Sequence, residues 1–364
     1  MRKVVCIGES ILSPLGATPA ENFAAVRRGE SALQRYEGMF GVREPFVASL
    51  MDRSLWTFPG RTFFDSIVIE AARRAVEAAG IDPASPRTAF VLSTIKGNIE
   101  FIDTQDVTLA CSAWRLADAF GNPNPAVVVS NACISGLAAL LQGRRMLLSG
   151  GYDHVVVVGA EVQSRFIVTG FQSLKALSEA PCKPFDAARD GLNLGEAAAA
   201  VVLGFGEDGW ELVDGAVRND ANHISGPSRT GEGSYKSLRY VLRHTSPEEL
   251  AFVNVHGTST LYNDEMEAIA IDRAGLLDVP VNALKGAFGH TMGAAGILES
   301  ILSMHAVDAG LVLPTRGFSA LGVSRPVRIS ALAGTTDKRA FVKLLSGFGG
   351  VNGALLFRKG GAAC

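Results

Sequence analysis

Short β-branched apolar runs alternating with helical stretches predict an α/β protein with a largely buried, mainly parallel sheet. Two patterns carry that prediction. The runs Lys3–Ile7, Ala89–Leu92, Ala126–Ser130 and His154–Gly159 have the composition of buried strands. Between them, Phe64–Ala79 and Ser135–Leu148 place apolar residues three and four apart, the helical period. Ala197–Gly204 (AAAAVVLG) reads as the strand that closes this half. The same grammar then resumes. Trp210–Val217, Phe252–Val255 and Val281–Ala283 read as strands, with Glu265–Ala274 as a helix between the last two. Thr291–Ala309 reads as a long helix rich in small residues, followed by strands at Val327–Ser330, Ala340–Ser346 and Ala354–Phe357. The seam falls in the Gly-rich turn Gly204–Trp210 (GFGEDGW), dividing the chain into halves 1–207 and 208–364. Gly360–Cys364 reads as a loose tail.

Composition narrows the function. The 364 residues hold 34 Lys plus Arg against 36 Asp plus Glu, a net charge of -2, so the basic surplus of a duplex-binding protein is missing. Apolar residues make up 48% and charged ones 19%, enough to bury a large core. No apolar run reaches the roughly 20 residues of a membrane-spanning helix, and MRKVVCIGES has no secretory h-region. Cys6, Cys111, Cys133, Cys182 and Cys364 are odd in number, scattered and without a CxxC pair. That usage fits a reduced cytoplasmic protein better than a disulfide scaffold or a zinc site.

Four segments carry chemistry. In AVVVSNACISGLAALLQG, Cys133 sits between a strand and a helix opened by Ser135 and Gly136. Unpaired N–H groups and the positive helix end favour a thiolate nucleophile there; a buried, inert cysteine is the competing reading. In FVNVHGTSTLYNDEMEAI, a strand delivers His256 to a loop of Thr258, Ser259 and Thr260. In ALKGAFGHTMGAAGILES, His290 follows Gly289, with Lys285 before it and Glu299 beyond. Each of these two histidines ends an element between Gly and Thr, the placement of a group aimed into a cavity. His154, His223, His244 and His305 read as structural. In LLSGFGGVNGALLF, glycines surround Phe348 between two strands, so backbone N–H groups have access to a ligand. A strand follows these glycines where a dinucleotide site needs a helix.

Taken together and in this order, these blocks resemble the elongating β-ketoacyl-acyl carrier protein synthases, condensing enzymes of the thiolase superfamily. The opening VVCIGESILSPLG, NACISG, KPFDAARDGLNLGEAAAAVVL, VHGTSTLYNDEMEA, LKGAFGHTMGAAG and GFGGVNGA all take part. The resemblance implies a thiolase-like fold: duplicated α/β halves in a five-layer αβαβα arrangement. It implies Cys133 as acyl-accepting nucleophile, His256 and His290 as the pair at the malonyl thioester oxygen, and Lys285 with Glu299 as the ion pair beside them. Thr258, Thr260, Gly349 and Gly350 match substrate-contacting positions. Asp264 and Glu267 match supporting acids, and Phe348 the gating phenylalanine, its N–H forming an oxyanion hole with that of Cys133. Phe185, Asp186, Arg189 and Asp190 match an architectural block held by ion pairs.

The implied reaction is decarboxylating condensation of a Cys133-bound acyl group with malonyl-acyl carrier protein in fatty acid elongation, with no metal or redox cofactor. The implied partners are an acidic acyl carrier protein and a second subunit, making a homodimer or a heterodimer with a chain-length partner. A dedicated ketosynthase of a polyketide, aryl-polyene or pigment pathway is the alternative. A thiolase would carry a second cysteine near Gly347–Gly353, a starter-type synthase one His and an Asn, and a non-catalytic partner subunit no Cys133. The chain departs from the family pattern over Glu21–Gly121 and at Asn131, Leu192 and Ala197.

Overall fold

The computed structural model describes residues 2–104, 107–220 and 222–361, so Cys364 and the end of the expected tail lie outside the described residues. Ten strands form one sheet: β1 (Val4–Leu12), β2 (Thr88–Ser93), β3 (Val127–Val129), β4 (His154–Glu161), β5 (Ala197–Phe205), β6 (Trp210–Asn219), β7 (Leu250–Asn254), β8 (Val281–Asn282), β9 (Ala340–Gly347) and β10 (Val351–Lys359). Six helices make the crossovers: α1 (Phe63–Ala79), α2 (Leu109–Ala119), α3 (Ser135–Leu148), α4 (Glu232–Val241), α5 (Leu261–Arg273) and α6 (Ala295–Asp308).

The spatial order is β8-β7-β9-β10-β6-β1-β5-β4-β2-β3. Read outward from the middle, both halves follow one rule, 1-5-4-2-3 and 6-10-9-7-8, with matching crossover helices. Within the sheet the halves meet where β1 pairs β6, Val5 with Glu211 and Cys6 with Trp210.

Within each half the pairing is mixed, which corrects the expectation of a mainly parallel sheet. β2, β3 and β4 run parallel, as do β7, β8 and β9. β5 and β10 turn back antiparallel. For β10 the reason is connection length: the β9–β10 turn is too short for a crossover helix, so only an antiparallel return is open to it. The strand expected at Val327–Ser330 reduces to one bridge between Ile329 and Val281. The long helix expected from Thr291 begins as a 3₁₀ turn, Met292–Ala294, because Met292 is held at φ 40°.

Capping explains the helix starts. The Thr62 hydroxyl accepts from Asp65 N–H at the head of α1, and the Thr260 hydroxyl accepts from Asn263 N–H at the head of α5. Burial on both sheet faces explains the continuous apolar strands. Val155 and Val157 of β4 join the central core with Leu137, Leu140 and Ile297, while Val156 and Val158 join an outer core with Phe64 and Ile67. A third core, with Leu238, Val253 and Ile271, lies under α4 and α5. With each five-strand half of the sheet as a layer, helix, half-sheet, central helix pair, half-sheet and helix make five layers. In the middle layer α3 meets α6 at Gly136 and Gly296. A Cβ on Gly296 would lie 2.3 Å from Leu137 N, so the two backbones touch because neither residue has one.

Among the described residues no helix is long and apolar enough to cross a membrane, and Cys6, Cys111, Cys133 and Cys182 are free thiols.

Candidate active site

The helix pair at the centre of the fold brings the chemical loops together. Cys133, after β3, stands at the head of α3. Ala132 before it is held at φ 46°, a strained left-handed conformation for a side-chain-bearing residue. The Ser135 hydroxyl locks the turn, donating to Ala132 O at 2.6 Å and accepting from Asn131 N–H at 2.7 Å. His256 follows β7, and His290 precedes the 3₁₀ turn into α6. Cys133 Sγ and one nitrogen from each imidazole lie within 4.8 Å of one another. The two rings meet edge to face, centroids 5.0 Å apart. All three residues line a cavity of about 540 Å³.

Burial decides the protonation of this cluster. It pushes the Cys133 thiol up to about 11, against the lowering effect of Lys285 and of the Phe348 and Cys133 N–H groups that reach the sulfur. The helix end therefore does not make a resting thiolate, as the sequence expectation held; desolvation outweighs it. Burial, then the Lys285 charge, holds His256 and His290 well below the usual histidine range, with Lys343 adding to both. Both rings are neutral at pH 7. His290 Nδ1 accepts from Met292 N–H at 3.2 Å, which puts the ring proton on Nε2, a buried atom with no partner among the described residues. His256 Nδ1 is likewise buried and unpartnered among the described residues.

The expected supporting residues fall into three groups. Thr258 and Thr260 line the cavity, their hydroxyls 3.0 Å apart. Phe348 walls it, its ring stacked 5.8 Å from that of Phe171 on helix Arg165–Ser173. Lys285, Glu299, Asp264 and Glu267 stand behind it. Lys285 Nζ donates to Glu299 Oε1 at 2.8 Å, both groups buried. Glu267 accepts from the N–H groups of His256 and Gly257, each at 2.7 Å; Asp264 accepts from Thr258 N–H at 3.0 Å and Phe185 N–H at 2.8 Å. These two carboxylates shape the His256 loop. Burial raises them to about 7 and about 6.

Gly349 and Gly350 do not join the cavity wall. Gly349 N–H donates to Ile224 O at 2.7 Å and Gly350 O accepts from Asp220 N–H at 2.9 Å, so they tie the β9–β10 turn to the segment after β6. The block around Phe185 is held by backbone hydrogen bonds rather than ion pairs. Asp186 accepts from Ser319 and Ala320 N–H, and Arg189 donates to the carbonyls of Asp186, Gly322 and Leu261. Of the four histidines read as structural, His223 reaches the cavity, where its Nδ1 accepts from the N–H groups of Ser225 and Gly226.

Two buried charged residues beside the cysteine and histidines escaped the sequence reading. Glu161 ends β4 and accepts from the N–H groups of Ile95, Lys96 and Gly293, tying the loop after β2 to the one after His290. Lys343, in the middle of β9, joins Lys285 on Glu299. A charge inside each apolar run, VVVVGAE and AFVKLLSG, was the available signal.

The chain is similar to known proteins in sequence and in fold. The family described as "Beta-ketoacyl synthase, N-terminal domain" matches residues 62–208, and "Beta-ketoacyl synthase, C-terminal domain" matches 210–319. The 3-oxoacyl-[acyl-carrier-protein] synthase 2 of Rhizobium meliloti is 28% identical, covering 99% of each chain. The tetracenomycin polyketide synthase ketoacyl synthase alpha subunit of Streptomyces glaucescens is 29% identical over 87% of each. The solved ishigamide ketosynthase/chain length factor superposes with a TM-score of 0.89 at 25% identity, covering 99% of this chain and 100% of that one. With both domain patterns matched across a thiolase-like fold, the chain belongs to the β-ketoacyl synthase family.

Proposed function

We propose that the protein catalyses a decarboxylating Claisen condensation, extending an acyl group held on Cys133 by two carbons from malonyl-acyl carrier protein, in fatty acid elongation. The observation that carries this reading is the approach of one sulfur and two neutral imidazoles to within 4.8 Å in one cavity. In the first half-reaction the Cys133 sulfur bonds to the acyl carbonyl carbon, the carrier thioester breaks, and the thiol proton passes to the departing carrier sulfur. His290 uses its Nδ1 lone pair on Met292, which leaves the lone pair of His256 for that proton. The N–H groups of Cys133 and Phe348 face the oxyanion.

In the second half-reaction the bond between malonyl carboxylate and methylene carbon breaks, CO2 leaves, and the electron pair becomes an enolate. His290 Nε2–H and His256 donate to the enolate oxygen, and Lys285 supplies positive potential behind them. The carbanion attacks the acyl carbon, forming the carbon–carbon bond and expelling the Cys133 sulfur, which takes up one proton from solvent, the net proton the reaction consumes. Every bond and electron is accounted for without a redox partner. The reading includes no metal: a Cys-His-His set suits a zinc-like cation, but Lys285 and Lys343 oppose a dication beside them.

The partner in this reading is an acidic acyl carrier protein, met by Lys175 and Arg229 at the cavity mouth, with Thr258 and Thr260 along the phosphopantetheine arm. The cytoplasm is the compartment, consistent with free cysteines. A second reading, a dedicated ketosynthase of a polyketide, aryl-polyene or pigment pathway paired with a chain-length subunit, draws support from the tetracenomycin and ishigamide relatives.

The test is to mix the protein with a panel of acyl-carrier proteins, with and without malonyl-carrier protein, and weigh the intact enzyme and the carrier. An acyl adduct on the Cys133 peptide and a 3-oxoacyl carrier are expected. No adduct with any acyl carrier sinks the proposal. The preferred acyl group, and native mass of the protein co-expressed with its neighbours, separate the two pathways and a homodimer from a heterodimer.

A further inference from the structure

Lys343 has no place in the chemistry described so far, yet its setting is unusual. It lies in an interior strand, fully buried between Val342 and Leu344. Its Nζ meets three acceptors: the Glu299 carboxylate, Asn254 Oδ1 at 2.6 Å and the carbonyl of Val255 at 3.3 Å. Three acceptors match the three donors of an ammonium, whereas a neutral amine has only two. The Val255 carbonyl belongs to the residue just before His256, so the contact grips the base of a functional loop. Glu299 is at the same time the partner of Lys285, itself 1% exposed. One carboxylate therefore serves two buried ammonium groups.

Building on the condensing function proposed above, we propose that Lys343 is a positioning residue for decarboxylation. With Lys285 and Glu299 it leaves one excess positive charge behind His256 and His290, which adds to burial in keeping both imidazoles neutral and donating while enolate charge develops. The alternative, a lysine that merely fills the core, meets the cost of burying an ammonium without a second carboxylate. The groups that face this cluster are Glu299 on α6, Lys285 on the short helix Lys285–Phe288, Glu267 and Asp264 on α5, the two imidazoles, Cys133, Glu161 and Cys182, whose thiol donates to the Lys285 carbonyl. Of these, Glu299 is held ionised by the two lysines. Glu267, raised to about 7, gains charge only toward alkaline pH. The excess is thus largest in the acid range, where the histidines are most exposed to protonation.

A histidine whose value is lowered stays neutral as pH falls through 6.5, and activity is lost only further down. Removing the Lys343 charge raises the imidazole values and moves that acid limb upward. The experiment follows CO2 release from malonyl-acyl carrier protein between about pH 5 and 8 for the wild type, Lys343→Met and Lys343→Arg. One unit of upward movement lowers the Lys343→Met rate at acid pH by about tenfold, with a far smaller change at pH 8, and Lys343→Arg keeps the wild-type limb. A Lys343→Met limb that coincides with the wild type overturns the proposal, whatever the rate. Should Lys343→Met fail to fold, Lys343→Gln retains hydrogen-bonding atoms without the charge and is judged by the same limb. A wild type that releases no CO2 at any pH defeats the condensing function instead, so the two failures are distinct.

Discussion

In the first half of the chain, the connection between β3 and its crossover helix α3 spans residues 130–134 and carries one reactive group, Cys133. The equivalent connection in the second half, between β8 and α6, spans 283–294 and carries both Lys285 and His290. The returns to the fifth strand differ in the opposite sense. β9 reaches β10 through the tight turn at Phe348, whereas β4 reaches β5 only after 162–196, which supplies Phe171, Leu174 and Lys175 to the cavity. One strand order thus supports two jobs. The first half offers a neutral thiol in an apolar turn and a wall for the substrate. The second offers a charged, desolvated cluster, which in the proposed mechanism acts on the malonyl group.

If that division of labour holds, Cys133→Ala produces the largest effect. Condensation falls by about 10³-fold or more with the nucleophile gone, yet malonyl decarboxylation survives because its groups sit in the other half. Product mass and CO2 release, measured on the same sample, check both parts. Loss of decarboxylation as complete as that of condensation breaks the comparison.

The reciprocal change, His290→Ala, lowers decarboxylation by about 10²-fold, the scale of one lost oxyanion donor. Acyl loading of Cys133, read by intact mass over time, changes much less. Equal loss in both half-reactions means that His290 is misplaced. A smaller effect sharpens the contact between the halves. Gly296→Val forces side-chain atoms into the Leu137 backbone and is expected to cost about 1–3 kcal/mol of stability, read as a lowered urea midpoint. Unchanged stability means that α3 and α6 do not meet as tightly as described.

Local pattern made much of this legible. Ser135–Leu148 is a helix with the bounds its periodicity predicts, and the strands at Ala89, His154 and Ala197 differ from their observed bounds by only a residue or two. Cys133, His256 and His290 stood out because each breaks an apolar element at a Gly- or Ser-rich junction. Other features had no local signature. The antiparallel return of β5 depends on which edge the chain comes back to. Gly349 and Gly350 look like ligand contacts in GFGG, but the segment after β6 takes up their backbone groups.

What the chain determines residue by residue is therefore its elements and its reactive groups, since periods of two and 3.6, caps and turn glycines act over a few neighbours. Tertiary structure alone decides the charge state of those groups. A thiol at a helix head is lowered or raised according to how much water the fold removes, and here it is raised. Lys343 and Glu299, 44 positions apart, become partners only when β9 lies against α6. Desolvation and Coulomb forces act through space, and their sum is set by packing from distant segments.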